Sequence, residues 1–74
     1  MIKEIILERE DFDSLHDIIL EVLDFKPTDS ECQKFWDLLP EHIQGDALQW
    51  GTSDSIFGNN AFVWLRDNKE TIKL

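Results

Sequence analysis

Enzymatic chemistry needs a nucleophile beside a base or a spaced set of metal ligands, and this chain offers few residues suited to either. Cys32 is the single cysteine, set between Asp29 and Glu31 on the inward side of a predicted helix. Acidic neighbours raise a thiol's pKa, away from a reactive thiolate, so Cys32 reads as a small core residue. His16 lies beside Asp17 and His42 follows Glu41, and neither sits in an H-E-x-x-H or H-x-x-x-H arrangement. Asp11-x-Asp13-x-x-x-Asp17 superficially resembles a calcium loop. His16 stands where that loop needs glycine, and Val22 where it needs the closing glutamate. The three glycines, Gly45, Gly51 and Gly58, are too scattered to cradle a phosphate. A chain of 74 residues would also struggle to enclose a pocket of several hundred Å³. No catalytic site, metal or cofactor is expected.

The arrangement that does stand out is acidic. Glu10, Asp13, Asp17, Glu21 and Asp24 recur at intervals of three and four. On a helix they share one face, opposite an apolar stripe, with successive members about 6 Å apart at ~1.5 Å of rise per residue. Like charges at this spacing destabilise a helix by a few tenths of a kcal/mol per pair, whereas solvated helices usually mix signs. A row that weakens its own helix is a candidate binding surface: to a groove lined with lysine and arginine it imitates a phosphate backbone. Asp29, Glu31 and Asp37 extend the same field along the next segment.

Composition agrees. Sixteen acids against seven bases give a charge of −9 and a pI near 4.3. Residues 1–54 hold fourteen acids and four bases, a charge of −10, while residues 55–74 hold two acids and three bases, a charge of +1. Direct binding to nucleic acid or an anionic membrane is disfavoured, because no basic footprint exists to displace counterions. A basic partner is favoured, and one that itself binds nucleic acid fits best. Solubility alone accounts for acidity in many proteins. The lone cysteine excludes an internal disulfide and suits a reducing cytoplasm, the host's if the chain is phage-encoded. No run approaches the ~18 apolar residues of a membrane span.

A second candidate surface is apolar. Trp50, Phe57, Phe62, Trp64 and Leu65 concentrate aromatic bulk in the C-terminal half, and residues 62–65 are apolar around a helix. A helix that is apolar on more than one side implies burial on more than one side, and aromatic residues are enriched at interface cores. Homodimerisation through this helix would satisfy it.

These side chains need elements to position them. Residues 2–8 read as a short strand, paired to Thr71-Ile72-Lys73-Leu74 or to a second copy. Asp11 or Asp13 caps a helix to about Asp24, with Phe12, Leu15, Ile19, Val22 and Leu23 as its buried stripe. Pro27 marks a turn. A second helix opens at Thr28 or Asp29, with Glu31 closing a capping box, carries Cys32, Phe35, Trp36 and Leu39 inward, and stops near Pro40. Pro40 fits the first turn of a third helix, whose apolar face is Ile43, Ala47, Leu48 and Trp50 and whose end Gly51 makes as a left-handed residue. Thr52-Ser53-Asp54 reads as the cap of a fourth, in which Phe57, Ala61, Trp64 and Leu65 follow helical spacing. A hairpin at Gly58-Asn59-Asn60 competes there, and helix is preferred because only three residues precede that turn.

Trp36-Asp37-Leu38-Leu39-Pro40 resembles the Trp-x-Leu-Leu-Pro part of the tumour-suppressor transactivation helix that docks into its ubiquitin ligase. That motif also has an aromatic anchor four residues before the tryptophan, where this chain has Cys32. The alternative role for Trp36 and Leu39 is core, and it is favoured. The expected fold is therefore mainly α, with three to four short helices in a single small domain and a short N-terminal strand. Two functions are expected on these grounds. One is an acidic inhibitor of the phage or mobile-element type, presenting a phosphate-like surface to a basic, nucleic-acid-binding protein. The other is an adaptor or structural subunit that homodimerises or docks through the aromatic C-terminal helix.

Overall fold

In the computed structural model, which describes residues 6–74, local capping chemistry marks where the helices start and stop. The described residues form α1 (Arg9–Leu23), α2 (Asp29–Leu38), α3 (Glu41–Trp50) and α4 (Ser55–Asn68), with no strand among them. α1 packs against α2 and α4, and α4 also packs against α3, so α1 and α4 form the centre of the bundle. The Cα radius of gyration, 11.0 Å, matches the ~11 Å expected of a compact chain of this length.

The N-terminal strand is corrected for the part of it that is described. Residues 2–5 lie outside the described residues, and Ile6, Leu7 and Glu8 are not in a strand. Glu8 instead caps α1, and the Asp11 carboxylate accepts its N–H at 3.0 Å. Leu7 is buried in the core, one residue before the cap, with Phe12 at the position that completes a hydrophobic staple. The helix therefore starts earlier than a cap at Asp11 or Asp13 would allow. At the other end, Thr71 and Ile72 donate their N–H groups back to the Asn68 carbonyl, which ends α4 in a turn and not in a pairing strand. Ile72 and Leu74 pack against the core.

The punctuation between helices follows the residues. Asp24 ends α1 in the left-handed conformation (φ 60°), which aspartate tolerates better than most residues. Thr28 and Glu31 form the expected capping box: Glu31 N–H donates to Thr28 Oγ1 at 3.2 Å and Thr28 N–H to Glu31 Oε1 at 2.8 Å. Leu39 is extended, as a residue before proline must be. Pro40 acts as the N-cap of α3, one position before the first turn. The Trp36 carbonyl accepts the Leu39 N–H at 3.1 Å and also the Gln44 side-chain amide at 2.8 Å, which ties α3 to the end of α2. Gly51 ends α3 at φ 95°, ψ 154°, outside the left-handed helical region expected and in a region essentially restricted to glycine. Asp54 caps α4, its Oδ1 accepting the Ile56 N–H at 2.8 Å. Gly58, Asn59 and Asn60 lie within α4, so the hairpin is excluded.

The core draws on every helix. Leu15, Ile18 and Ile19 come from α1, Cys32, Phe35 and Trp36 from α2, Ile43 and Ala47 from α3, and Phe57, Ala61 and Leu65 from α4. Ile18 joins the α1 stripe in place of Phe12, Val22 and Leu23, which are half-buried at its margins. Trp36 packs on Phe57 (6.1 Å between ring centroids) and Phe35 on Trp64 (6.4 Å). One polar pair ties the ends of the bundle: the buried Thr52 hydroxyl donates to Asp11 Oδ1 at 2.7 Å, joining the start of α1 to the α3–α4 turn.

Candidate functional site

At 3.6 residues per turn, Glu10, Asp13, Asp17 and Glu21 fall within an arc of about 80° on α1. All four are exposed, on the side away from Leu15 and Ile19, with Glu21 at its margin beside Ile18. Asp24 follows as the exposed cap. The helix offers no base in its last turn to offset the acids there.

The row is not uniformly unpaired, and the base that reaches it was missed. Arg9 Nη1 and Nη2 donate to the two Asp29 carboxylate oxygens at 2.9 and 2.8 Å, and its Nε lies 3.3 Å from Asp13. The guanidinium sits over the Phe12 ring, 5.4 Å from the centroid. Hydrogen bonding to Asp29 raises the Arg9 pKa, and the same bond holds Asp29 below the usual carboxylate value. Asp13 and Asp29 thus form a clamp between α1 and α2. Half-buried Glu31 is engaged in the cap of α2, and Asp37 accepts from Gln33 at 3.1 Å. The (i, i+4) relation of Arg9 to Asp13 was readable in the sequence; the bidentate pair with Asp29, twenty residues away, was not.

Glu10, Asp17, Glu21 and Asp24 remain. Among the described residues none of them is paired with lysine or arginine; Asp17 lies 3.6 Å from His16 Nδ1, and Arg66 pairs with its neighbour Asp67. The unneutralised part of the stripe therefore runs from the middle of α1 to its C-terminal end, with Glu10 standing beside the clamp.

The aromatic set divides. Phe57 and Leu65 are fully buried and form core, not surface. Phe62 and Trp64 are half-buried, also packed against the core. Trp50 alone of the five is well exposed, at 51%, and Leu48 (44%) and Ile56 (46%) flank the same α3–α4 turn. Trp36 and Leu39 are buried, so the side chains a docking helix of the transactivation type would present face inward, and only Leu38 is exposed.

The thiol of Cys32 is buried, and burial, with Asp29 nearby, pushes its pKa up to about 11. Among the described residues no cluster of three or more His, Cys, Asp and Glu is placed to hold a metal ion, and no helix is long and apolar enough to cross a membrane. Grooves open to solvent run between the helices of the described residues. One of about 350 Å³ lies between α3 and α4 beside His42 and Trp64; one of about 390 Å³ lies between α1 and α4 beside Glu21 and Phe62. No protein-family model matches the chain, and neither does any curated protein or solved structure.

Proposed function

We propose that this chain is an acidic protein-binding protein that occupies the nucleic-acid site of a basic partner, an inhibitor of the phage or mobile-element anti-defence type acting in the host cytoplasm. The observation that carries the reading is the run of exposed carboxylates at Glu10, Asp17, Glu21 and Asp24, which have no lysine or arginine partner among the described residues while the only arginine in the first half of the chain is drawn to Asp13 and Asp29. The stripe lies on a helix whose opposite side anchors the core, so the backbone that carries the row is fixed. A fixed backbone lowers the ordering entropy of binding, and complementary charge speeds encounter. Asp13, Asp29, Glu31 and Asp37 contribute to the field from its edge. The chain itself binds neither nucleic acid nor membrane in this reading.

The test is capture from lysate of the native host at low and high salt, followed by competition. The reading expects a basic protein that is retained at low salt, released at high salt and displaced by duplex or single-stranded nucleic acid. A captured protein that binds nucleic acid and this chain simultaneously contradicts it.

A second reading, an adaptor or subunit that homodimerises, is favoured by the exposure of Leu48, Trp50 and Ile56 around one turn. The variant to use is Trp50→Ala, since Phe57 and Leu65 are core. Light scattering that finds the same monomer for both proteins at high concentration contradicts a dimer.

A further inference from the structure

The acidic row borders a groove with an apolar floor. Between α1 and α4, Ile18, Glu21, Gly58, Asn59 and Phe62 line a depression of about 390 Å³. Glu21 is exposed, has no ion-pair partner among the described residues, and stands between Asp17 and Asp24. Gly58 lies inside α4, where glycine weakens a helix relative to alanine. A Cβ at that position would meet nothing within 4 Å. Packing of the fold therefore does not require glycine at position 58; what the missing side chain does is leave the groove wall open.

We propose that this groove receives an arginine side chain of the basic partner. The inference rests on the inhibitor reading above and names its central contact. The methylene stem lies along Ile18 and Phe62, which suits a side chain that buries its stem and keeps its head polar. The guanidinium meets the Glu21 carboxylate, with Asn59 supplying a further polar group. Arginine is preferred over lysine because its planar head bonds a carboxylate through two parallel N–H groups and stacks on an aromatic ring. The chain already holds one arginine in this manner: Arg9 is bidentate on Asp29 and sits over Phe12. Phe62 and Glu21 offer the same pair of groups, one aromatic and one carboxylate, and no lysine or arginine is among the described residues that line the groove. The net charge of −9 makes a cationic occupant the complementary one.

An NMR titration of the full chain with a capped peptide of alternating arginine and alanine, beside its lysine and citrulline counterparts, tests this. The arginine peptide should shift the Ile18 methyls, the Asn59 side-chain amide and the Phe62 ring. It should bind roughly three- to tenfold tighter than the lysine peptide, with the citrulline peptide weakest. Glu21→Gln, a conservative exposed change, should weaken it by a similar factor. Gly58→Leu should remove the groove shifts. Gly45→Leu, at the other helical glycine with open space around it, should leave them in place and serve as the folding control. Shifts confined to Glu10, Asp13 and Asp17, with Ile18 and Phe62 unmoved, overturn the groove while leaving the acidic row standing. Equal affinity for arginine and lysine peptides overturns the arginine assignment. Absence of any shift at low salt overturns the groove and the inhibitor reading together.

Discussion

Replacing Glu21 with glutamine should make the protein more stable. Glu21 sits exposed one turn beyond Asp17 and three residues before Asp24, in the last turn of α1, which holds no base. Removing one like-charge (i, i+4) pair relieves about 0.2–0.5 kcal/mol. Removing a negative charge from the negative end of the helix macrodipole relieves about 0.3–1 kcal/mol more. Glutamine and glutamate have similar helix propensity, and no ion pair among the described residues is lost. The gain is therefore roughly 0.5–1.5 kcal/mol, which for a domain of this size raises Tm by roughly 2–10 °C. The assay is thermal unfolding by circular dichroism at low ionic strength, repeated near 1 M salt, where the Debye length falls to ~3 Å and the gain should shrink. A lower Tm, or a gain of equal size at both salt concentrations, refutes the reasoning. A residue that destabilises its own fold is expected where binding requires it.

Three further outcomes follow from the packing. Phe57→Ala removes a fully buried ring packed on Trp36 and should lower stability by about 3–5 kcal/mol, much of the ~4–11 kcal/mol expected for 74 residues; a urea melt showing a loss under ~1 kcal/mol contradicts the core assignment. Cys32, buried and with its pKa near 11, should resist alkylation at about pH 8 until the chain unfolds, and rapid labelling of the native protein contradicts its place in the core. The Arg9 clamp lowers the folded-state pKa of Asp29, so its contribution to stability is present above the ordinary carboxylate value and disappears as pH falls through the lower folded-state value. Wild type should therefore melt above Arg9→Met at neutral pH, with the gap narrowing in acid as Asp29 is protonated; a gap of unchanged size near pH 2 contradicts the clamp.

The elements with strong local chemistry were legible in the sequence. Thr28 with Glu31 announces a helix start, Pro40 an end, and Asp54 a cap; the hydrophobic spacing of Leu15 and Ile19, or of Phe57, Ala61 and Leu65, gives the phase of each helix. What failed depends on tertiary context. The β-branched and apolar residues before Glu8 resemble a strand, but Leu7 is drawn into the core and the Glu8 backbone is taken up in capping. Aromatic bulk near the C-terminus suggested an outward face, yet a bundle this small uses Phe57 and Leu65 internally, leaving Trp50 exposed because it sits at the end of α3. The acidic row was visible from spacing alone. Its clamped end was legible only in part: the (i, i+4) relation of Arg9 to Asp13 follows from spacing, whereas the bidentate contact that holds Arg9 there reaches Asp29 on the next helix.

The claim on which the functional account depends is that Glu10, Asp17, Glu21 and Asp24 act as a fixed row of phosphate surrogates. The direct measurement is the affinity for the captured partner across a salt series, for wild type and for the variant combining Glu10→Gln, Asp17→Asn, Glu21→Gln and Asp24→Asn. The account predicts tight binding at low salt that falls steeply as salt rises, and weak, nearly salt-independent binding by a variant that remains folded. A folded variant that binds as tightly as wild type, with the same response to salt, would contradict it.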